Sequence, residues 1–418
     1  MKRILITTLS TTGHVPRYVR WILGSEVFRN AEVILAARSE LFEHAELWDI
    51  AESFQPYIVD LSPRQERVLS KMSSMADQVR RQFTSWKIWR RVYDKVNGEA
   101  KVDFVFMVSA DDCLEAVSLT VSPFRKTPWT GITYRQRFHF ARVGVIAPMP
   151  RDSAVREWLF RRALHNRTLA GMFTNDETLV VYASSHFKLW ECEKVIQLPD
   201  PCVDHVLPPT AGARQSLGIA QDAKVVLAYG AIAERKGIRS LIECASSPQC
   251  PSNICVLLAG QQSPEIEEFL AGEASSSLQK QGRLVAINRY ISDSEEAALL
   301  AATDCMWVGY LGFYMMSGIL VLASRHGIPC LVSECGVSGY LMRKYQFGLT
   351  VDPDNKATVL AALQELSNDS GMLADTGRRA MAAFSRHSVP EFRKLISAMI
   401  ERAGTIKQIS RPKPSALA

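Results

Sequence analysis

The sequence predicts an α/β protein made of two doubly wound domains, and three observations lead there. Short β-branched runs alternate with longer helical patterns from end to end, the signature of parallel sheets covered by helices. A chain of 418 residues is roughly two to three times the usual domain length. A proline-rich stretch, LPDPCVDHVLPPTAG, divides the pattern near its middle, where Pro199, Pro201, Pro208 and Pro209 exclude a helix or a central strand.

In chain order, the first half offers strands at 3–8 (RILITT), 31–37, 57–61 (YIVDL), 102–108, 129–133, 171–174 and 194–198. The second half offers them at 224–230, 253–260, 283–287, 304–310, 329–333 and 348–352. Helical patterns close the chain over 356–403, and KQISRPKPSALA reads as a polar tail. The expected domains are 1–205 and 206–390, followed by a C-terminal helix and tail over 391–418. Ligands of such sheets bind outside the carboxyl ends of the strands, so functional residues are sought just after strands, on a cleft between the two domains.

Composition narrows the function classes. With 47% hydrophobic and 22% charged residues the chain is a folded protein and not a disordered one. A net charge of +6 is a weaker bias than a dedicated nucleic-acid binder carries, so no nucleic-acid partner is assigned. No apolar run is long enough to span a bilayer, and MKRILITTLSTTGH reads as a first strand, not as a secretory signal. Nine cysteines without a CxxC pair, the closest being Cys250 with Cys255 and Cys330 with Cys335, read as reduced, buried thiols of a cytoplasmic protein.

Several stretches could carry chemistry. After the first strand, STTGHVPRY places Gly13 and His14 ahead of a helix that Pro16 can open; a ligand approach and a plain turn both fit. After the strand ending at Gly230, Arg235 and Lys236 precede a helix, where the helix dipole disfavours cations. A diphosphate would compensate them, and a solvated basic turn is the other reading. Strand 304–310 ends at Tyr310, and Ser317 and Gly318 open an apolar helix that Gly327 and Pro329 stop. Its first N–H groups suit an anion, and Ser317 can bond a phosphate or simply cap the helix.

At these residues the second half resembles the nucleotide-sugar domain of GT-B retaining glycosyltransferases of the family 4 type. The matching stretches are YGAIAERKG, VLLAG, NRYISDSEEAALLAATD, SGILVLASRHGIPCLVSECG and FGLTVDPDN, while TTGH and LPDPCVD fit their places in the first half. The resemblance covers about residues 1–390 and is strongest in order and spacing over 220–355. It implies the GT-B fold, two Rossmann-like domains facing a central cleft, and a donor site at Gly230, Arg235, Lys236, Arg289, Tyr290, Tyr310, Tyr314, Met316, Ser317 and Gly318. Arg235 and Lys236 would stabilise the leaving diphosphate, with Gly13, His14 and His139 on the acceptor side; a surface histidine is the other reading of His139.

The resemblance also has gaps. The family's paired glutamates, registered on Gly327 and Pro329, fall at Tyr314 and Leu322, and Ala231 stands where an Arg usually follows the phosphate-loop glycine. The family's front-face mechanism lets the leaving phosphate accept the acceptor's proton, so the expectation is an active enzyme for which a nucleotide-diphosphate sugar is the donor substrate. No cofactor or metal is assigned: Asp111, Asp112 and the DPD of 352–354 read as solvated acids or caps.

A saccharide or lipid-linked acceptor of the cell envelope is expected, and with it a role in polysaccharide biosynthesis. The stretches RRQFTSWKIWRR (80–91) and REWLFRRALHNRTL (156–169) suit either peripheral contact with an anionic membrane at its inner face or ordinary amphipathic helices; in the first, Phe83, Trp86 and Arg90 share one side. The rival readings are a non-catalytic GT-B protein that binds a saccharide or partner, a polynucleotide binder, and an epimerase whose usual acid and base have no place here.

Overall fold

The computed structural model describes residues 1–71, 74–368 and 370–409. It separates into two units: one formed by 1–143, 149–199 and 389–418, the other by 144–148 and 200–388.

The first unit holds seven strands: β1 (Lys2–Thr7), β2 (Ala31–Ala37), β3 (Gln55–Ile58), β4 (Phe104–Met107), β5 (Trp129–Thr133), β6 (Leu169–Thr174) and β7 (Val195–Gln197). They form one parallel sheet in the order β3-β2-β1-β4-β5-β6-β7, so the strand order reverses between β1 and β4. Side chains alternate across it: Leu5, Val105 and Met107 join one core cluster, and Ile4, Ile6, Phe104 and Phe106 join the cluster on the other face. Both faces are buried under helices, which is why these strands read as continuous apolar runs.

The expected strand at 57–61 begins earlier, at Gln55, and ends at Ile58. The β-branched run drew the expectation downstream of Pro56. At the sheet's edge a proline costs no ladder bond on its open side, so Pro56 can pair with Leu35.

The second unit holds β8 (Lys224–Tyr229), β9 (Ile254–Ala259), β10 (Leu284–Ile287), β11 (Cys305–Val308), β12 (Cys330–Ser333) and β13 (Gly348–Val351), parallel in the order β10-β9-β8-β11-β12-β13. Its reversal lies between β8 and β11, beside which the sequence placed the donor residues. All nine cysteines are free thiols, and seven are buried.

The chain returns to the first unit at its end. The helix Val389–Ile409 lays Phe392, Ile396, Met399 and Ile400 on the core face of Ile4, Ile6 and Phe106, and Arg393 Nε donates to the Trp21 carbonyl at 3.2 Å. The expected tail begins inside this helix, and its residues 410–418 lie outside the described residues.

The basic aromatic stretch 80–91 lies within the helix Met75–Glu99 and is committed to its own unit. Trp89 is buried, Trp86 Nε1 donates to the Val121 carbonyl, and Arg90 lies over the Trp86 ring while donating to the Ser122 carbonyl. In the second stretch Arg156 pairs with Asp152 and Arg161 with Glu191. These contacts pack both helices within their own unit. No helix among the described residues is long and apolar enough to cross a membrane.

Because Phe392 is wholly buried against the first sheet, Phe392→Ala is expected to destabilise this unit by about 3–5 kcal/mol. Denaturant unfolding followed by Trp fluorescence would read it; a loss below about 1 kcal/mol would show that the helix is not part of the unit's core.

Candidate active site

The loop after β8 builds the second unit's site. Gly230 follows the strand, and a single 3-10 turn, Glu234–Lys236, carries the two cations. Gly237 then turns the chain with φ +63° into the helix Ile238–Ala245. A Cβ at Gly237 would lie 2.4 Å from the Gly309 carbonyl oxygen, so this position requires glycine both for its conformation and for the close approach of the segment after β11. Trp307 Nε1 donates to the Lys236 carbonyl at 2.7 Å, and Leu311 N donates to the Arg235 carbonyl at 2.8 Å. These bonds join the ends of β8 and β11 into one floor.

Lys236 points inward. It is 4% exposed, and its Nζ donates to the Tyr229 carbonyl. Burial, and after it the neighbouring Arg235 charge, bring its pKa down from the usual lysine range to about 7. Arg235 takes the opposite course. Its guanidinium is exposed, 5.5 Å from the Phe313 ring centroid and 6.0 Å from that of Tyr310, with no hydrogen-bond or ion-pair partner among the described residues.

Tyr310 Oη lies 3.1 Å from Ser317 Oγ, and Ser317 Oγ accepts from Leu320 N at 3.4 Å, which makes Ser317 the cap of the helix Gly318–Arg325. Met316 is buried beside it. The structure thus gathers Gly230, Arg235, Lys236, Tyr310, Ser317 and Gly318 around the ends of β8 and β11. Arg289 and Tyr290 stand in the loop after β10, where Arg289 pairs with Glu295 and holds the start of the helix Asp293–Ala302, while Tyr290 is 68% exposed.

At the two positions without an acid, Tyr314 is half-buried with its backbone against the helix Gly336–Tyr345, and Leu322 is 8% exposed. Sequence reasoning missed a carboxyl group that is present. Asp200, in the LPDPCVD stretch, is buried, and its Oδ2 would lie 3.8 Å from a Cβ on Gly318, at the helix start. Burial raises its pKa to about 7. Its carbonyl accepts from His387 Nδ1, whose ring burial holds neutral with a pKa near 4.

In the first unit a cavity of about 710 Å³ opens where β1, β2, β4 and β5 end, lined among others by Thr12, His14, Tyr134 and Arg135. Gly13, at φ +68°, makes the turn and His14 starts the helix Val15–Leu23. The His14 ring meets Tyr18 and Tyr134 edge-on at 5.1 and 5.4 Å, and burial followed by the Arg135 charge lowers its pKa. His139 does not line this cavity, and the reading of it as a surface histidine does not hold. It is wholly buried, with Nε2 2.9 Å from Thr178 Oγ1 and 3.2 Å from Asp176 Oδ2, because Asp176 caps the helix Glu177–His186 and the ring fills the space behind it. Asp111 likewise serves the fold, accepting from Thr133, Tyr134 and Gln136.

Solved structures resemble this arrangement over nearly its whole length. Sucrose-phosphate synthase from Thermosynechococcus elongatus matches with a TM-score of 0.67 at 14% identity, covering 98% of this chain and 99% of that one. HepE from Anabaena, solved in complex with UDP and glucose, matches with 0.62 at 14%, covering 96% and 100%. WaaG, a glycosyltransferase involved in lipopolysaccharide biosynthesis, matches with 0.60 at 14%, covering 96% and 99%. Neither protein-family models nor curated sequences match the chain. The fold is therefore GT-B, two Rossmann-like α/β domains with parallel sheets.

Two outcomes follow from the loop after β8. Gly237→Ala is expected to cost about 1–3 kcal/mol of stability from left-handed strain alone, with more from the Gly309 contact; an unchanged melting curve would contradict it. Lys236 has a folded pKa below its unfolded one, so between the two values the unfolded chain holds more protons. Stability contributed by this group therefore rises with pH above about 7 and is lost as pH falls toward about 7. A bound diphosphate favours the charged ammonium, so binding UDP at pH 8 is expected to take up close to one proton. Calorimetry in buffers of different ionisation heat would detect it, and the uptake should vanish in Lys236→Met.

Proposed function

We propose that the protein is a glycosyltransferase that binds a nucleotide-diphosphate sugar at the Arg235–Lys236 turn and passes the sugar to a saccharide or lipid-linked acceptor with retention of configuration. The observation that carries this reading is the buried Lys236 ammonium beside the exposed Arg235 guanidinium, two cations without a carboxylate between them at the carboxyl end of a sheet's switch point. Burying a cation without an anion is costly, and a bound diphosphate removes the cost.

As the bond from the anomeric carbon to the diphosphate breaks, negative charge grows on the leaving oxygen. Lys236 supplies a point charge held in place by the Tyr229 carbonyl, and Arg235 supplies a two-pronged donor steadied on Phe313. The acceptor hydroxyl bonds to the anomeric carbon on the same face, and its proton passes to the departing diphosphate. No side chain is required as the base, so having Leu322 at the ribose-gripping position and Tyr314 at the position near the sugar removes a ribose contact and a carboxylate beside the sugar and leaves the reaction path. Tyr290, exposed after β10, is suited to stack on the base. HepE was solved with UDP-glucose bound, which supports a nucleotide sugar as the donor class.

A panel of nucleotide sugars, assayed for nucleoside diphosphate release, tests the reading. At least one is expected to turn over, and Lys236→Met is expected to lower kcat at least about a hundredfold, as lost transition-state charge stabilisers do. Wild-type turnover in both Lys236→Met and Arg235→Gln would overturn the assignment. Binding of a nucleotide sugar without turnover of any would point to a non-catalytic saccharide-binding protein.

A further inference from the structure

The cavity of the first unit carries a charge pattern that the donor reading does not use. Four arginines line it from four elements: Arg38 just after β2, Arg67 on the helix Pro63–Ser70, Arg81 on the helix Met75–Glu99 and Arg135 just after β5. Two carboxylates, Glu66 and Asp112, face them. Arg81 lies 3.5 Å from Asp112, and Arg38 lies 2.5 Å from Glu40 and 3.9 Å from Glu66. Arg67 donates to its own helix, at the Pro63 carbonyl. Arg135 makes no hydrogen bond or ion pair among the described residues, although its charge acts on Asp112 and His14 across the cavity, and four arginines against two carboxylates leave the lining an excess of positive charge.

The same wall holds two polar atoms with nothing to bond. Ser85 Oγ, on a residue with no exposed surface, and Tyr134 Oη are both buried and without a hydrogen-bond partner among the described residues. Such atoms carry a desolvation penalty that a ligand oxygen would relieve. The volume, about 710 Å³, is in the range of small-molecule sites, and the His14 and Tyr134 rings add flat faces of the kind that sugar rings pack against.

We propose that this cavity binds an anionic saccharide, its phosphate or carboxylate held by Arg135 with Arg38 and Arg81 nearby, and its hydroxyls bonded by Ser85 and Tyr134. Its role as the acceptor rests on the glycosyltransferase reading; the binding itself does not. Arg135 is exposed and Ser85 buried, so the anion lies toward the mouth and the neutral part of the sugar toward the helix Met75–Glu99.

The test is titration calorimetry on the full chain at low salt, without nucleotide, using glucose 6-phosphate, glucuronate and glucose. At least one anionic sugar is expected to bind about tenfold or more tightly than glucose, and the stronger of the two identifies phosphate or carboxylate as the recognised group. Arg135→Gln should remove most of that preference, whereas Arg64→Gln, on a residue that does not line the cavity, should keep it. Glucose binding as tightly as both anions, or an undiminished preference in Arg135→Gln, would overturn the proposal. The two readings fail separately: sugar transfer to neutral acceptors only would sink the anionic acceptor and keep the transferase, whereas anion binding without turnover of any nucleotide sugar would keep this site and sink the transferase.

Discussion

A buried ammonium group is the constraint around which the second unit's site is arranged. Lys236 is sealed between the end of β8 and the segment after β11, and its nearest oxygen is a carbonyl, not a carboxylate. A carbonyl dipole returns only part of the solvation that a cation loses in the interior. The consequence is a lysine poised near neutrality, whose charge is restored by whatever anion reaches it. The surrounding bonds hold that geometry: Trp307 fixes the Lys236 carbonyl, Gly237 allows the turn, and Leu311 ties Arg235 to the neighbouring strand's end.

The helix Gly318–Arg325 completes the floor. Ser317 Oγ caps the helix and lies 3.1 Å from Tyr310 Oη. Asp200 brings a carboxyl to the positive end of the helix, and burial raises its pKa to about 7, so near neutral pH it exchanges between the ionised and protonated forms. In its protonated form it is a donor and no rival to an incoming phosphate. Leu322 is buried, and a carboxylate at that depth would need a partner.

Much of this was legible in the sequence because it depends on periodicity and punctuation. Every expected strand forms, since runs such as KVVLAYG and NICVLLAG are buried on both faces and have no polar side to confuse the reading. The cation pair stood out because charge at a helix start opposes the dipole. Other features were not legible. His139 read as an acceptor-side or surface histidine, yet its place is fixed by Asp176 and Thr178, contacts 37 and 39 residues away. Trp86 read as part of a side shared with Phe83 and Arg90 that suited either a membrane or its own unit, and the partner that ties it down, the Val121 carbonyl, lies 35 residues away. Asp200 lay in a stretch noted for its prolines and Arg135 was not singled out, and their significance depends on burial and on which side chains the fold brings together, neither of which has a sequence signal.

The most direct test of the central claim is a crystal structure of the protein with UDP bound. The account places diphosphate oxygens within hydrogen-bond distance, about 3 Å, of both Lys236 Nζ and the Arg235 guanidinium, with Lys236 turned from the Tyr229 carbonyl toward the ligand. A diphosphate bound elsewhere, with Lys236 still held by Tyr229 and Arg235 still over Phe313, would contradict it.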